Sequence, residues 1–159
     1  MSSVKEILVE SFQENKSVQD VVKQDSRKKE RLKVLIDYSI FMGENFGKIY
    51  LNKEKTASAI IINSTKKKST FSSLFWNIKL AFSVIGFSNA IRVLKRANLI
   101  SNFYPDTEYI YLWFIGVKTS DQGKGAGTEL LAEIIKDSGS RPIYLETSTV
   151  RNFPFYEKY

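Results

Sequence analysis

Val4, Ile7, Leu8 and Phe12 recur at helical spacing, so the pattern predicts an amphipathic helix over residues 3–14. Val18, Val21 and Val22 predict a short second turn, and Arg27–Arg31 is a solvated charged run. Leu32, Leu35, Ile36 and Ile40 then lay an apolar stripe along a further helix, expected to end near Gly43. After Gly47 the period becomes two. Ile49 and Leu51 alternate with Tyr50 and Asn52, and Ala57 to Ile62 is a compact β-favouring run. The polar link from Asn52 to Thr56 makes residues 47–63 a hairpin.

Lys66–Lys68, flanked by Ser and Thr, reads as a loop. Phe71, Leu74, Phe75, Ile78, Phe82 and Ile85 restore helical spacing until Gly86 breaks it. Ser88 or Asn89 is the expected cap of another helix running to about Ala97. Pro105 marks a loop over residues 102–107. Tyr109 to Val117 follows as an aromatic and β-branched strand, apolar on both faces and therefore expected at the centre of a sheet. A polar, glycine-rich stretch over 118–125 leads into the stripe Ala126, Leu130, Leu131, Ile134 and Ile135, closed by Ser138-Gly139. Pro142 introduces a short strand from Ile143 to Thr147. The order α-α-β-β-α-α-β-α-β predicts an α/β or α+β fold without internal repeats.

The length of 159 residues fits one domain, large enough to bury a core without a staple. There is no Cys and no His. That excludes disulfides, thiolate or imidazole metal sites, Cys nucleophiles and His-based triads, so no metal is expected. Catalytic proton transfer must use Asp, Glu, Tyr, Lys, backbone or water. The net charge of +7 suits an anionic partner or a phosphate-bearing cofactor. Residues 1–13 carry Lys5, Glu6 and Glu10 and lack the apolar run of a signal peptide. No apolar stretch reaches the roughly 18 residues of a spanning helix. A cytoplasmic protein with no membrane association is expected.

The informative segment is Ile115-Gly-Val-Lys-Thr-Ser-Asp-Gln-Gly-Lys-Gly-Ala-Gly-Thr128, between a predicted strand and a predicted helix. Glycines there expose consecutive backbone N–H groups at a helix N-terminus, a favourable place for phosphate, with Lys124 and Lys118 adding positive charge. A plain tight turn is the alternative. A P-loop fails because Gly123-Lys124 is followed by Gly125. A dinucleotide turn of the form G-x-G-x-x-G fails at Thr128. It also leaves too little chain after Glu146 for a doubly wound sheet.

Gln122-Gly-Lys-Gly125-Ala-Gly127 resembles the acetyl-CoA signature Q/R-x-x-G-x-G/A of the GNAT-superfamily N-acetyltransferases. Asn152-Phe-Pro-Phe-Tyr156-Glu-Lys, which follows at the expected separation, is similar to that family's second motif. The resemblance is strong over residues 109–159 and rests on element order before them. It implies a mixed, mostly antiparallel central sheet flanked by helices, with the final strands of the acyl-CoA N-acyltransferase type missing. It also implies a single domain over 1–159. Within it, residues 1–46 would be a helical acceptor-side region, 47–63 a hairpin, 71–99 helices and 109–159 the acetyl-CoA-binding core.

The same resemblance implies acetyl transfer from acetyl-CoA to a primary amine by direct attack in a ternary complex. The amine would belong to a small molecule or a peptide. Backbone groups of Ile115, Val117 and Thr119 would pair with the pantetheine arm. Gln122, Gly123, Lys124, Gly125, Ala126, Gly127 and Thr128 would cradle the pyrophosphate. Asn152 would bond the cofactor, the alternative being a helix N-cap. Tyr156 would be the general acid, and the Val117 N–H would face the developing oxyanion. Glu108 and Glu146 are the candidate bases. A strand pair normally beginning with His is replaced here by Glu108-Tyr109.

An incomplete sheet would leave an open edge, which makes a homodimer possible. Two other readings stand beside the enzyme. One is a non-catalytic acyl-CoA-binding protein of the same fold. The other is a basic nucleic-acid-binding module using Lys66–Lys68 and Lys95-Arg96. The second lacks any nucleic-acid fold signature, so no nucleic-acid partner is expected.

Overall fold

The computed structural model describes residues 2–65 and 80–159. The Lys66–Lys68 run and the Phe71 to Ile78 part of the predicted aromatic helix lie outside the described residues. In chain order the elements are α1 (Ser2–Phe12), α2 (Lys16–Val21), α3 (Lys28–Phe46), β1 (Gly47–Leu51) and β2 (Ala57–Asn63). A π-helical turn (Ala81–Ile85), α4 (Phe87–Ser101) and β3 (Ile110–Val117) follow. Then come a 3-10 turn (Thr119–Asp121), α5 (Ala126–Ser138), β4 (Ile143–Leu145), a second 3-10 turn (Val150–Asn152) and α6 (Phe153–Tyr156). The sheet order is β1-β2-β3-β4, with β1–β2 and β2–β3 antiparallel and β3–β4 parallel. This is the expected mixed, mostly antiparallel sheet.

The sheet is covered on both faces. Leu8, Ile36, Ile60, Ile62 and Phe114 lie in one core with α1, α2 and α3. Ala57, Ala59, Ile61, Ile110 and Leu112 lie in the other against Leu130, Leu131 and Ile134 of α5. All seven residues of β2 are buried, so its side chains feed the two cores alternately. Tertiary packing thus buries β2 on both faces, whereas β3 alternates buried and half-buried positions.

Several boundaries differ from expectation for identifiable reasons. The charged run is the first turn of α3, where Arg27 pairs with Glu30. That helix also continues through Gly43 to Phe46. Gly43 is a packing position rather than a stop: a Cβ there would lie 2.8 Å from Ile60 Cγ2 and 2.9 Å from Ile49 Cγ1. Helix α4 begins after Gly86, at φ 73°, rather than at a Ser88 or Asn89 cap, and it continues to Ser101. In the hairpin, the Asn52 side chain accepts from the N–H groups of Thr56 and Ala57, both at 2.8 Å, and so closes the turn.

A β-bulge shapes the centre. Ile60 pairs with Phe114 and Ile61 with Leu112, leaving Trp113 as an extra residue on β3. A bulge reverses the side-chain alternation and strengthens local twist. Leu112 therefore enters the α5 core and Phe114 the opposite one. β4 pairs only with Ile110, Tyr111 and Leu112. Beyond the bulge, β3 and β4 part.

Candidate active site

The opening between β3 and β4 is a cleft of about 1750 Å³. One side is built by the glycine-rich turn. Gly123 and Gly125 have φ of 78° and 93°, a region open to glycine and strained for other residues. A Cβ at either would meet nothing within 4 Å, so the space over the turn is open. No side chain caps the N-terminus of α5 at Gly125. Its first N–H groups face a gap that suits an anion.

The loop ahead of the turn is anchored from α1. Thr119 N–H donates to Glu10 Oε1 at 2.7 Å. The Ser11 hydroxyl shares its proton between the Ile7 carbonyl at 2.7 Å and the Val117 carbonyl at 2.9 Å, and Gln122 Nε2 reaches the Val117 carbonyl at 3.4 Å. Lys124 pairs with Asp121 at 3.0 Å. The hydrogen bond from Ser120, then that from Lys124, holds the Asp121 carboxyl below its usual range.

Ile115, Val117, Gln122, Gly123, Gly125, Ala126, Gly127, Thr128, Asn152, Tyr156 and Glu146 all line the cleft. Thr119, Lys124 and Glu108 are not part of this lining. The Thr119 N–H is committed to Glu10, and Lys124 to Asp121. Glu108 precedes the opposite end of β3 and pairs with Arg141 at 3.5 Å. Arg141 also bonds the carbonyls of Asp137 and Ser138 at the end of α5, which makes this a structural contact. Asn152 begins α6 but makes no side-chain capping bond, so its amide is available to the cleft.

Tyr156 is half-buried beside Phe155, their ring centroids 5.0 Å apart. Burial pushes its phenol pKa above the ordinary value of 10.0, so it stays protonated at neutral pH. Glu146 follows β4 directly, level with the bulge. It accepts from Tyr104 Oη at 2.6 Å and from Tyr111 Oη at 3.0 Å. Among the described residues, no group of three or more acidic side chains gathers to hold a metal ion. No described helix is long and apolar enough to cross a membrane.

The family model described as Acetyltransferase (GNAT) family matches residues 66–159, more than half of the chain. The chain belongs to the GNAT acetyltransferase family. Its fold agrees with a solved structure described as histone acetyltransferase HPA2 and related acetyltransferase from Corynebacterium glutamicum ATCC 13032. The TM-score is 0.68 at 18% identity, over 99% of this chain and 76% of that one. GNAT acetyltransferases use acetyl-CoA as the co-substrate of acyl transfer. The open space over Gly123 and Gly125 and the uncapped α5 N-terminus fit a phosphate-bearing group of that kind.

Four residues of this GNAT acetyltransferase carry site geometry that sequence reasoning missed. Glu10 and Ser11 tie the glycine loop to α1, more than a hundred positions away in the chain. Tyr104 and Tyr111 hold Glu146. No local pattern reports a pairing at such separations. The only clue was Gly116 inside a strand, a mark of close backbone approach. A Cβ there would lie 2.8 Å from Ser11 Oγ.

Proposed function

We propose that this acetyltransferase transfers an acetyl group from acetyl-CoA to a primary amine, by direct attack in a ternary complex. One observation carries the reading: a single cleft holds an uncapped phosphate cradle, a protonated Tyr156 and a hydrogen-bonded carboxylate, Glu146. The co-substrate supplies a thioester-activated acetyl group. The N–H groups at the start of α5, with Gly123 and Gly125, hold its pyrophosphate. Backbone groups of Ile115 and the Val117 N–H, beyond the reach of β4 pairing, hold the pantetheine arm, and the Asn152 amide adds a polar contact.

An amine arrives as an ammonium and must lose a proton before it attacks. Glu146 takes that proton at a carboxylate oxygen. Tyr156 Oη holds the proton given to the departing sulfur. Glu108, tied to Arg141 away from the cleft, is set aside as base. Residues of 12–46 and 80–90 flank the acceptor side, and residues 109–159 carry the acetyl-CoA core together with the carboxylate that faces the acceptor.

The test is a thermal melt with and without acetyl-CoA, with NAD as comparator. Ligand at a hundredfold over its Kd stabilises by ~2.7 kcal/mol, a shift of several degrees for a domain of this size. Tyr156→Phe should keep that shift and lose about a hundredfold or more in kcat. A shift without acetylation of any amine, before or after the substitution, indicates a non-catalytic acyl-CoA binder. A shift with NAD alone sinks the reading.

A further inference from the structure

Where β3 and β4 pair, four tyrosines pack ring on ring. Tyr104 stacks on Tyr109 at 5.3 Å and 8°, and meets Tyr111 edge-on at 5.7 Å. Tyr144 closes the group from β4, 5.3 Å from Tyr109. Trp113, the bulged residue, continues the wall to Tyr38 at 5.7 Å. Tyr104, Tyr109, Tyr111 and Trp113 face the cleft together with Glu146.

The carboxylate is held asymmetrically. Both phenols donate to the same oxygen, Oε1. Among the described residues, Oε2 accepts no hydrogen bond. Burial first, and the neighbouring carboxylate after it, raise the pKa of both phenols. They therefore remain donors throughout the neutral range. An aromatic wall bearing a carboxylate whose second oxygen no described residue bonds is the chemistry that recognises an organic ammonium. The rings accept the apolar body and the edge of the positive charge, and the open oxygen takes an N–H. The other charged groups lining the cleft are Glu14 ahead of α2, Lys16 of α2, Arg96 of α4, Asp121 and Arg151. The Arg96 guanidinium is 3.9 Å from Asp20.

We propose that this tyrosine wall with Glu146 is the acceptor subsite and selects a primary ammonium on an apolar body. Tyr104 and Tyr111 act as positioning residues: they fix Oε1 and so aim Oε2 at the ammonium. The inference rests on the amine-acceptor reading above and adds the place and the chemical class of the acceptor.

The probe is phenethylammonium, with phenethyl alcohol as the uncharged control of the same shape. Binding is followed by thermal shift, and acetyl-CoA is run on the same preparations. The wild type should bind phenethylammonium and give little response to the alcohol. Glu146→Gln should weaken ammonium binding about two- to fivefold, the worth of an ion pair at an exposed carboxylate. Tyr104→Phe/Tyr111→Phe keeps both rings and loses only the clamp. It should weaken the ammonium several-fold and leave the acetyl-CoA shift intact. Equal binding of alcohol and ammonium, or unchanged binding in Glu146→Gln, overturns the subsite. If acetyl-CoA shifts the melt and phenethylammonium does not, the subsite fails alone. If acetyl-CoA gives no shift, the acetyltransferase reading itself fails. Should the double tyrosine variant not fold, the near-isosteric Glu146→Gln decides the matter.

Discussion

Gly125 combines a φ of 93° with open space where a side chain would stand. Gly125→Val is therefore costly twice. The left-handed backbone adds about 1–2 kcal/mol of strain, and the branched side chain fills the phosphate cradle. The expected outcome is a folded protein with a lower Tm and no acetyl-CoA shift. Asp25 offers a different test. The Arg31 hydrogen bond, above all, lowers its pKa from 3.8 to about 2. Because the folded value is depressed, the stabilisation is present above the unfolded pKa and is lost as pH falls through the folded one. Asp25→Asn should therefore lower the Tm at neutral pH, and the gap from wild type should close between about pH 4 and pH 2. Melts across that range check it. A gap that stays constant would mean the carboxylate charge is irrelevant there. At this scale the sequence exposed the glycine-rich turn, because its backbone chemistry is local. It did not expose Glu10 or Tyr104, whose work depends on partners brought in from elsewhere.

Among the elements, α1 and β3 decide whether the glycine loop is held. Their close approach is made by Gly116, where a Cβ would meet Ser11 Oγ at 2.8 Å and Ser11 Cβ at 2.9 Å. Gly116→Ala should push α1 away from the end of β3, at about 1–3 kcal/mol for overpacking. A lower urea midpoint together with a raised KM for acetyl-CoA is expected, because the Ser11–Val117 and Glu10–Thr119 bonds loosen. An unchanged midpoint would show that the pair separates freely. Element identities were legible because the period changes from helical to alternating at Gly47 and is helical again in α5. Boundaries were less so. Gly43 looks like a stop by composition, yet it lies inside α3 because β1 and β2 press on it. The bulge at Trp113 left no mark in the pattern. A strand with apolar residues on both faces reads the same whether or not its alternation is reversed.

For the whole molecule, residues 109–159 carry the recognisable motifs but not a self-sufficient core. Leu130, Leu131 and Ile134 of α5 pack with Ala57, Ala59 and Ile61 of β2. Phe114 packs in the core of α1 and α3. A fragment of residues 109–159 should therefore show no cooperative melt and no acetyl-CoA binding. A cooperative transition in that fragment would contradict the two-sided core. At the far side of the cleft, Ser17 Oγ of α2 bonds Ser148 Oγ beyond β4 at 2.7 Å.

The sequence by itself determined the succession of the four strands, the helix between the last two, the glycine-rich turn that opens that helix, and the family that these residues point to. Each is a local property, a period or a run of residue types, and short-range sterics and backbone chemistry suffice to impose it. Tertiary structure alone decided which strand is buried on both faces, where β3 leaves β4, that Glu146 and not Glu108 faces the cleft, and that two phenols hold it. Those outcomes depend on which side chains meet across long stretches of chain. That is settled by packing both faces of one sheet at once, not by any segment's own preference.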